Sequence, residues 1–276
     1  MTPAPSVEEH DALARLSRTH GAASLSVAVL SLIAQWQTGS PTLPAVRAVW
    51  STETKDTPSA EAIDADIALL CAASRLPCLE AMLQRVRAGS KDDRRALLQA
   101  TRRVMAARSP MPPIDRLLWL AMRRRLGERP PAADLPAASN DLAGLSKPMR
   151  EQIAKVTAHL SRLVPGVESG ADGGGSAWYA VVLGRLLPEA PSAGPVWPDG
   201  DALAHALLVV QTLPWMLRPV LVRAWVDAAG QVGPRVGLSP TAADALRLVA
   251  GLLDSPLPPE LARRHAELNW DTQRYA

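Results

Sequence analysis

The chain has 276 residues, 47% of them hydrophobic and 21% charged, so it can bury a sizeable core as one large domain or two small lobes. Ala, Leu and Arg dominate while Phe is absent and Tyr occurs twice, a composition that favours helix over sheet. The only two cysteines, Cys71 and Cys78, exclude a disulfide framework and are too few for a zinc site on their own.

Helix caps, prolines and the spacing of apolar residues predict an all-α protein of about twelve to thirteen helices. Ser6 with Glu9, and Ser90 with Asp93, have the pattern of capping boxes, and Ser239 has the pattern of an N-cap followed by proline. The predicted helices lie near 6–19, 21–37, 43–50, 59–74, 76–88, 91–107, 112–127, 146–164, 176–187, 199–212, 214–229, 239–254 and 258–268.

The longest run without charged residues, 21–46, is interrupted by Pro41 and Pro44. It predicts an amphipathic core helix and is shorter in apolar residues than a membrane span requires. The first 20 residues lack the basic start and apolar run of a signal peptide. A cytoplasmic location and no transmembrane segment are therefore expected.

Two expectations concern the core. The helix near 199–212 is apolar on nearly all sides, so it should be central and buried, with His205 buried and hydrogen-bonded on it. The helical spacing of most tryptophans also places most of the following residues in the core: Trp119, Trp178, Trp197, Trp215, Trp225 and Trp270.

The distribution of proline and glycine predicts two lobes built from tandem helical hairpins. The predicted parts are an N-terminal lobe over 1–128, a Pro/Ala-rich linker over 129–145 and a C-terminal lobe over 146–276. The second lobe contains a Gly-rich loop over 166–176. A weak internal repeat overlays the hairpin at 91–127 on that at 214–254, although chance similarity in a Leu/Ala-rich chain is an equal alternative.

The chain resembles a known protein family in four segments: 20–36, 75–127, 213–230 and 238–261. The most specific of these matches is the sequence LLDSPLPPEL at the end of the last segment. In order and spacing they resemble the C-terminal helical, TerB-like region of bacterial HtpX-type membrane zinc metallopeptidases, without the protease domain. The resemblance implies an all-α architecture and association with other proteins. Hairpin loops of that family usually contain Asp-Gly, whereas the first loop of this chain has Arg108 and Ser109 in that place.

Metallopeptidase catalysis is not predicted for this chain. A zinc site of that class requires two histidines four residues apart with a glutamate beside the first, and none of the five histidines has such a partner. No other catalytic or cofactor-binding constellation is apparent, so we expect a protein that is not an enzyme and has no catalytic, cofactor-binding or metal-binding residues.

The strongest functional feature is charge asymmetry. Residues 75–129 contain 14 basic and 5 acidic residues, whereas the rest of the chain contains 16 basic and 22 acidic residues. A basic face on the first lobe would attract an acidic protein, while a solvated helical surface is the alternative. Two aromatic residues near the C-terminus add a possible contact, with packing onto the chain itself as the alternative. The partner-binding candidates are Arg87, Lys91, Arg94, Arg95, Arg102, Arg123, Arg124, Arg125, Trp270 and Tyr275.

These observations predict a non-catalytic helical module for protein–protein interaction or regulation. A second interpretation is a detached soluble C-terminal region of a membrane zinc metallopeptidase, which would make such a peptidase a candidate partner. A third is nucleic-acid binding through the basic first lobe. It is less favoured because aromatic residues for base stacking do not alternate with the arginines.

Overall fold

The computed structural model describes residues 6–36, 41–127, 141–142, 144–164, 173–186, 194–232, 238–268 and 270. These residues form thirteen α-helices and no β-strand, which confirms the predicted all-α class. The helices are α1 (Val7–Ser17), α2 (Ala22–Ala34), α3 (Leu43–Thr54), α4 (Ala60–Ala68), α5 (Ala72–Arg87), α6 (Lys91–Ala106), α7 (Pro113–Leu126), α8 (Lys147–Leu160), α9 (Gly173–Leu186), α10 (Gly200–Val210), α11 (Leu217–Val232), α12 (Pro240–Leu252) and α13 (Pro259–Ala262).

The chain divides into two compact units. The first unit comprises Met1–Asp115, Met122–Glu128 and Arg263–Ala276, and the second comprises Arg116–Ala121 and Arg129–Ala262. Three predicted features lie wholly or largely outside the described residues: most of the linker over 129–145, the first seven residues of the loop over 166–176, and Tyr275.

Helix α2 is the centre of the first unit. Its residues from Val27 to Ala34 are all buried, and it packs against α3, α4, α5 and α6. The predicted core helix is therefore confirmed, but it is buried on all sides rather than on one face, as its almost wholly apolar sequence allows. Its one buried hydroxyl, on Ser31, accepts a hydrogen bond of 2.9 Å from Nε1 of Trp50.

The boundary between α4 and α5 differs from the prediction. The break was expected just before Pro77, yet α5 runs through that proline. Proline has no N–H to donate to the carbonyl four residues earlier, that of Ala73. This carbonyl instead accepts a hydrogen bond of 3.0 Å from the N–H of Ala266. A segment distant in sequence thus satisfies the acceptor that Pro77 leaves open, which local sequence could not indicate.

Helix α1 is joined to the start of α5 by a buried carboxylate. Glu9 is buried, and its Oε1 accepts a hydrogen bond of 3.0 Å from the N–H of Cys71, the N-cap residue of α5. Burial raises the pKa of Glu9, but hydrogen bonds from Ser74, Cys71 and Ser6 together outweigh it and lower the pKa below its ordinary value of 4.5. The ionised carboxylate therefore stabilises the folded state.

Replacing Glu9 with glutamine should lower the free energy of unfolding at pH 7 by about 1–2 kcal/mol. A carboxyl group whose pKa is lowered by folding contributes stability above its unfolded pKa and loses it as the pH falls through the folded value. Urea unfolding of E9Q and wild type should therefore give curves that approach each other below pH 4.5. The exposed neighbour Glu8 provides the control variant E8Q. Equal separation of the E9Q and wild-type curves at pH 7 and at pH 3 would contradict the assigned role.

The second unit is built around α8, which packs against α9 and α10. Trp225 of α11 donates from Nε1 to Oγ1 of Thr157 at 3.0 Å, and its own carbonyl accepts from Nε1 of Trp178 at 3.2 Å. Helix α9 begins at Gly173, so the last four residues of the predicted Gly-rich loop are helical. Glycine is needed at 175 because a side chain there would collide with the carbonyl of Ser161.

The two units repeat local features of their hydrogen bonding. Ser31 and Thr157 both stand four residues before the C-cap of their helix, α2 or α8, and both accept an indole N–H. Arg75 and Arg218 each donate from Nε to the carbonyl five residues earlier. Each also donates from Nη1 to the C-cap carbonyl of another helix, that of α2 or α12.

Sequence supports the same correspondence. Helices α6 and α12 are capped by Ser90 and Ser239, and each is followed by a Ser-Pro-x-Pro-Pro segment, at 109–113 and 255–259. Arg75 with Arg218, and the two capped helices with their Ser-Pro-x-Pro-Pro segments, pair α5–α6 with α11–α12, whereas the indole donors Trp50 and Trp225 lie on α3 and α11 and do not follow this pairing. This register is one helix earlier than the predicted overlay of 91–127 on 214–254.

Candidate interaction surfaces

The arginines of the basic segment 75–129 are used largely within the protein. Within the described residues 75–127, six arginines donate hydrogen bonds to main-chain carbonyls, namely Arg75, Arg85, Arg94, Arg108, Arg116 and Arg125. Most of these acceptors lie at or just beyond helix C-termini, where carbonyls have no partner within their helix and cations are favoured. A seventh, Arg103, forms a bidentate pair with Glu53 at 2.6 and 2.7 Å. Much of the predicted basic excess therefore holds elements of the fold together.

Arg108 is the most deeply buried of these cations. Its side chain is 2% exposed and pairs at 2.7 Å with Asp115, whose side chain is 0% exposed. Nη2 also donates to the carbonyls of Ile33 and Ala34 at the end of α2. Burial raises the pKa of Asp115, and the Arg108 guanidinium opposes that shift. One guanidinium thus pairs with a buried carboxylate and satisfies two helix-end carbonyls.

The predicted partner-binding cations lie on α5, α6 and α7 and differ in their exposure. Arg95 and Arg102 are exposed seven residues apart on α6, so they share one face, although Asp92 lies 3.8 Å from Arg95. Arg94 is half-buried and donates at 2.9 Å to the carbonyl of Arg87. The other predicted cations are Arg87, exposed in the last turn of α5, Lys91, exposed at the start of α6, and three in the last turn of α7: Arg123, exposed, and Arg124 and Arg125, half-buried.

Of the two C-terminal aromatic candidates, only Trp270 is described. It is half-buried, and the guanidinium of Arg85 lies 5.0 Å from the centroid of its ring. Arg85 also donates at 3.2 Å to the carbonyl of Thr19. Trp270 therefore contacts its own unit, in agreement with the alternative that the sequence left open.

Sequence reasoning did not predict that several large apolar residues of the second unit are exposed. Nine large hydrophobic residues are exposed in the described part of the chain, and six of them lie between residues 196 and 220: Val196, Trp197, Leu208, Trp215, Met216 and Val220. The expectation that most of the six tryptophans belong to the core holds for Trp178 and Trp225, which are buried, but not for Trp197 and Trp215. Helix α11 begins only at Leu217, so Trp215 lies in the turn before it instead of on the predicted helix 214–229.

Helix α10 is also less buried than predicted. Leu203, Ala206, Leu207 and Val210 form a buried stripe at helical spacing. On the other side, His205 and Leu208 are exposed, so the expectation of a buried histidine is wrong. Leu208 is apolar although it is exposed. Hydropathy alone therefore predicted that every side of this helix is buried, when only one side is.

We define the α10–α11 surface as the exposed side chains of Leu208, Trp215, Met216 and Val220. Leu208 lies in the last turn of α10, Trp215 and Met216 in the connecting turn, and Val220 in the first turn of α11. Met216 immediately precedes α11, and its side chain and that of Val220 are each about half exposed. A signal for this surface was present in the Leu-Pro-Trp-Met sequence at 213–216, because proline two residues before Met216 marks a turn.

The turn that carries this surface is held from within the unit. Leu213 and Leu217 on either side of it are buried. Arg218 donates to the carbonyls of Leu213 and Leu253, and Gln211 donates to the carbonyl of Leu252. The exposed tryptophan therefore stands on a fixed turn, which limits the conformational entropy that binding would cost.

The described residues offer neither a metal site nor a membrane-spanning helix. Across the described ranges, no group of three His, Cys, Asp or Glu side chains is placed to hold a metal ion. None of the helices in those ranges combines the length and apolar character needed to cross a membrane.

In comparisons with protein-family models, curated proteins and solved structures, the chain matches none of them. The resemblance to the HtpX-type region stays a prediction.

Proposed function

We propose that this chain is a non-catalytic helical module that binds another protein, and that the α10–α11 surface is its principal contact. The observation that carries the proposal is the exposure of Trp215, which is 76% accessible, together with that of Met216 at 49% and Val220 at 50%. Trp and Met are enriched at protein interfaces, and tryptophan is among the residues that contribute most binding energy there. Grouped exposed apolar side chains commonly mark an interaction site.

Two features favour this surface over the basic segment. The α10–α11 surface is presented by a turn that Arg218 and Gln211 anchor, through hydrogen bonds to the carbonyl of Leu213 and to those of Leu252 and Leu253 at the end of α12. In the described part of the basic segment, by contrast, six cations of the first unit are engaged with carbonyls or with Glu53. This engagement also weakens the case for nucleic acid, which would need a row of available cations along a groove.

Replacing Trp215 and Met216 together with serine should weaken binding to the natural partner by about thirtyfold or more, since interface hot spots contribute at least about 2 kcal/mol. The partner can be isolated by crosslinking in the producing cells and then titrated against purified variants. The matched control is L69S/M111S, because both of those residues are exposed large hydrophobics of the first unit.

The double variant should unfold within a few degrees of wild type, since both side chains are exposed. Unchanged affinity of W215S/M216S, or an equal loss in L69S/M111S, would contradict the assignment of this surface.

A further inference from the structure

Two arginines and a tryptophan meet in the second unit near the start of α10. Nη1 of Arg116, from α7, donates a hydrogen bond of 3.2 Å to the carbonyl of Pro198. The guanidinium carbon of Arg162, just after α8, lies 5.3 Å from the centroid of the Trp197 ring. Trp197 and its neighbour Val196 are both exposed. Arg116 and Arg162 therefore both reach the short segment 196–198.

Among the described residues, neither of these two arginines has a carboxylate partner. Both arginines are half-buried, and no carboxylate of the described residues forms an ion pair with either guanidinium. Burial and the nearby charge of Arg116 lower the pKa of Arg162, so the two cations destabilise each other. Other buried or partly buried arginines face a carboxylate, as Arg108 and Arg125 do, or donate to two main-chain carbonyls, as Arg218 does. An anion from outside would remove the imbalance.

We infer that Arg116, Arg162 and Trp197 form a binding site for an acidic peptide segment of the partner protein. A glutamate or aspartate carboxylate would accept hydrogen bonds from the two guanidiniums, which are suited to carboxylates by their planar donor geometry. An apolar residue next to that acid would pack on Trp197 and Val196, both of which are accessible. The inference rests on the proposed protein-binding function and specifies the chemistry of the partner.

Charge complementarity distinguishes this occupant from others. A purely apolar helix would leave both guanidiniums buried without a counterion, at a cost in desolvation. A free inorganic anion would use the arginines but leave Trp197 and Val196 exposed. An acidic segment with an adjacent leucine satisfies both the charged and the apolar parts of the site.

The test is calorimetric titration of the purified full chain with a blocked peptide of alternating glutamate and leucine. Its counterpart with glutamine in place of glutamate should bind at least about tenfold more weakly, as should the acidic peptide to R116Q/R162Q. The control R185Q/R223Q removes the same charge from two exposed arginines of the same unit, and its affinity should stay within about twofold of wild type. Equal binding of both peptides, or an equal loss in both variants, would overturn the inference.

Two further titrants identify the source of the anion. Inorganic phosphate that binds as tightly as the acidic peptide would indicate a free-anion site, and a single-stranded oligonucleotide that binds more tightly would indicate nucleic acid. Either result would overturn the peptide assignment. The W215S/M216S variant should retain peptide binding, because the arginines are intact. Loss of peptide binding only in R116Q/R162Q, with partner binding lost only in W215S/M216S, would refute this site as a partner contact while the proposed function stands.

Thermal unfolding separates a binding role for Arg162 from a structural one. Because its charge is disfavoured by burial and by Arg116, R162Q should melt at the same temperature as wild type or higher. A melting temperature lower by more than a few degrees would show that Arg162 serves the fold, and the assignment to binding would fail.

Discussion

Replacing Arg108 with methionine should lower the free energy of unfolding by about 3–5 kcal/mol, the range for removing one member of a buried ion pair. The substitution leaves the carboxylate of Asp115 without its counterion at a position that is fully buried. It also removes the donor to the carbonyls of Ile33 and Ala34, at the end of the most buried helix of the first unit. Urea unfolding followed by circular dichroism measures the effect.

Two comparisons separate this pair from a surface one. Arg103 also forms a close pair, with Glu53, but its side chain is 54% exposed, so R103M should cost no more than about 1 kcal/mol. Replacing both members of the buried pair, as in R108M/D115L, should recover part of the loss because no isolated charge remains. If the double variant is as unstable as the sum of the two single variants, Arg108 and Asp115 do not depend on each other.

Truncating Trp225 to alanine should destabilise the protein by about 3–5 kcal/mol, as expected for a large aromatic side chain removed from a core. Its side chain is fully buried in α11 and its indole N–H bonds to Thr157 of α8. The cavity would therefore open between two helices of the second unit. The W225F variant keeps most of the volume and loses the hydrogen bond, so it should lie between W225A and wild type.

Trp215 provides the matched position outside the core. It stands ten residues earlier but is largely exposed, so W215A should change the free energy of unfolding by no more than about 0.5 kcal/mol. Similar losses in W225A and W215A would show that the assigned environments of the two tryptophans are wrong.

The features predicted correctly from sequence are those decided within a few residues. The Oγ atoms of Ser6, Ser90 and Ser239 each accept the N–H three residues later, as their cap patterns indicated. The order of thirteen helices follows from such signals together with apolar spacing.

The features missed depend on contacts between distant segments. The continuation of α5 through Pro77 requires an N–H from Ala266. The outward position of Trp215 depends on where α11 begins, which Leu213 and Leu217 fix by their burial. Apolar spacing identifies which residues can be buried, but it does not identify which apolar face has a neighbour to cover it.

The acceptors to which the arginines bond were the features hardest to predict from sequence. A salt bridge has an acidic partner that a sequence reveals, whereas a carbonyl acceptor exists at every position. The charge count over 75–129 therefore treated cations such as Arg75 and Arg85 as available to a partner, although they already bond to main-chain oxygens. Only tertiary structure distinguishes an arginine that holds a helix end from one that faces a partner.

This arrangement has a consequence for how the sequence can diverge. Where Arg218 bonds to the carbonyls of Leu213 and Leu253, the acceptors belong to the backbone and persist whatever side chains those positions carry. Selection to keep the hydrogen bond therefore acts on the arginine alone. When the residue that supplies the carbonyl is substituted, the arginine needs no compensating change. Such contacts leave no covariation between positions, and homologues could drift far apart in sequence while keeping the same bonds.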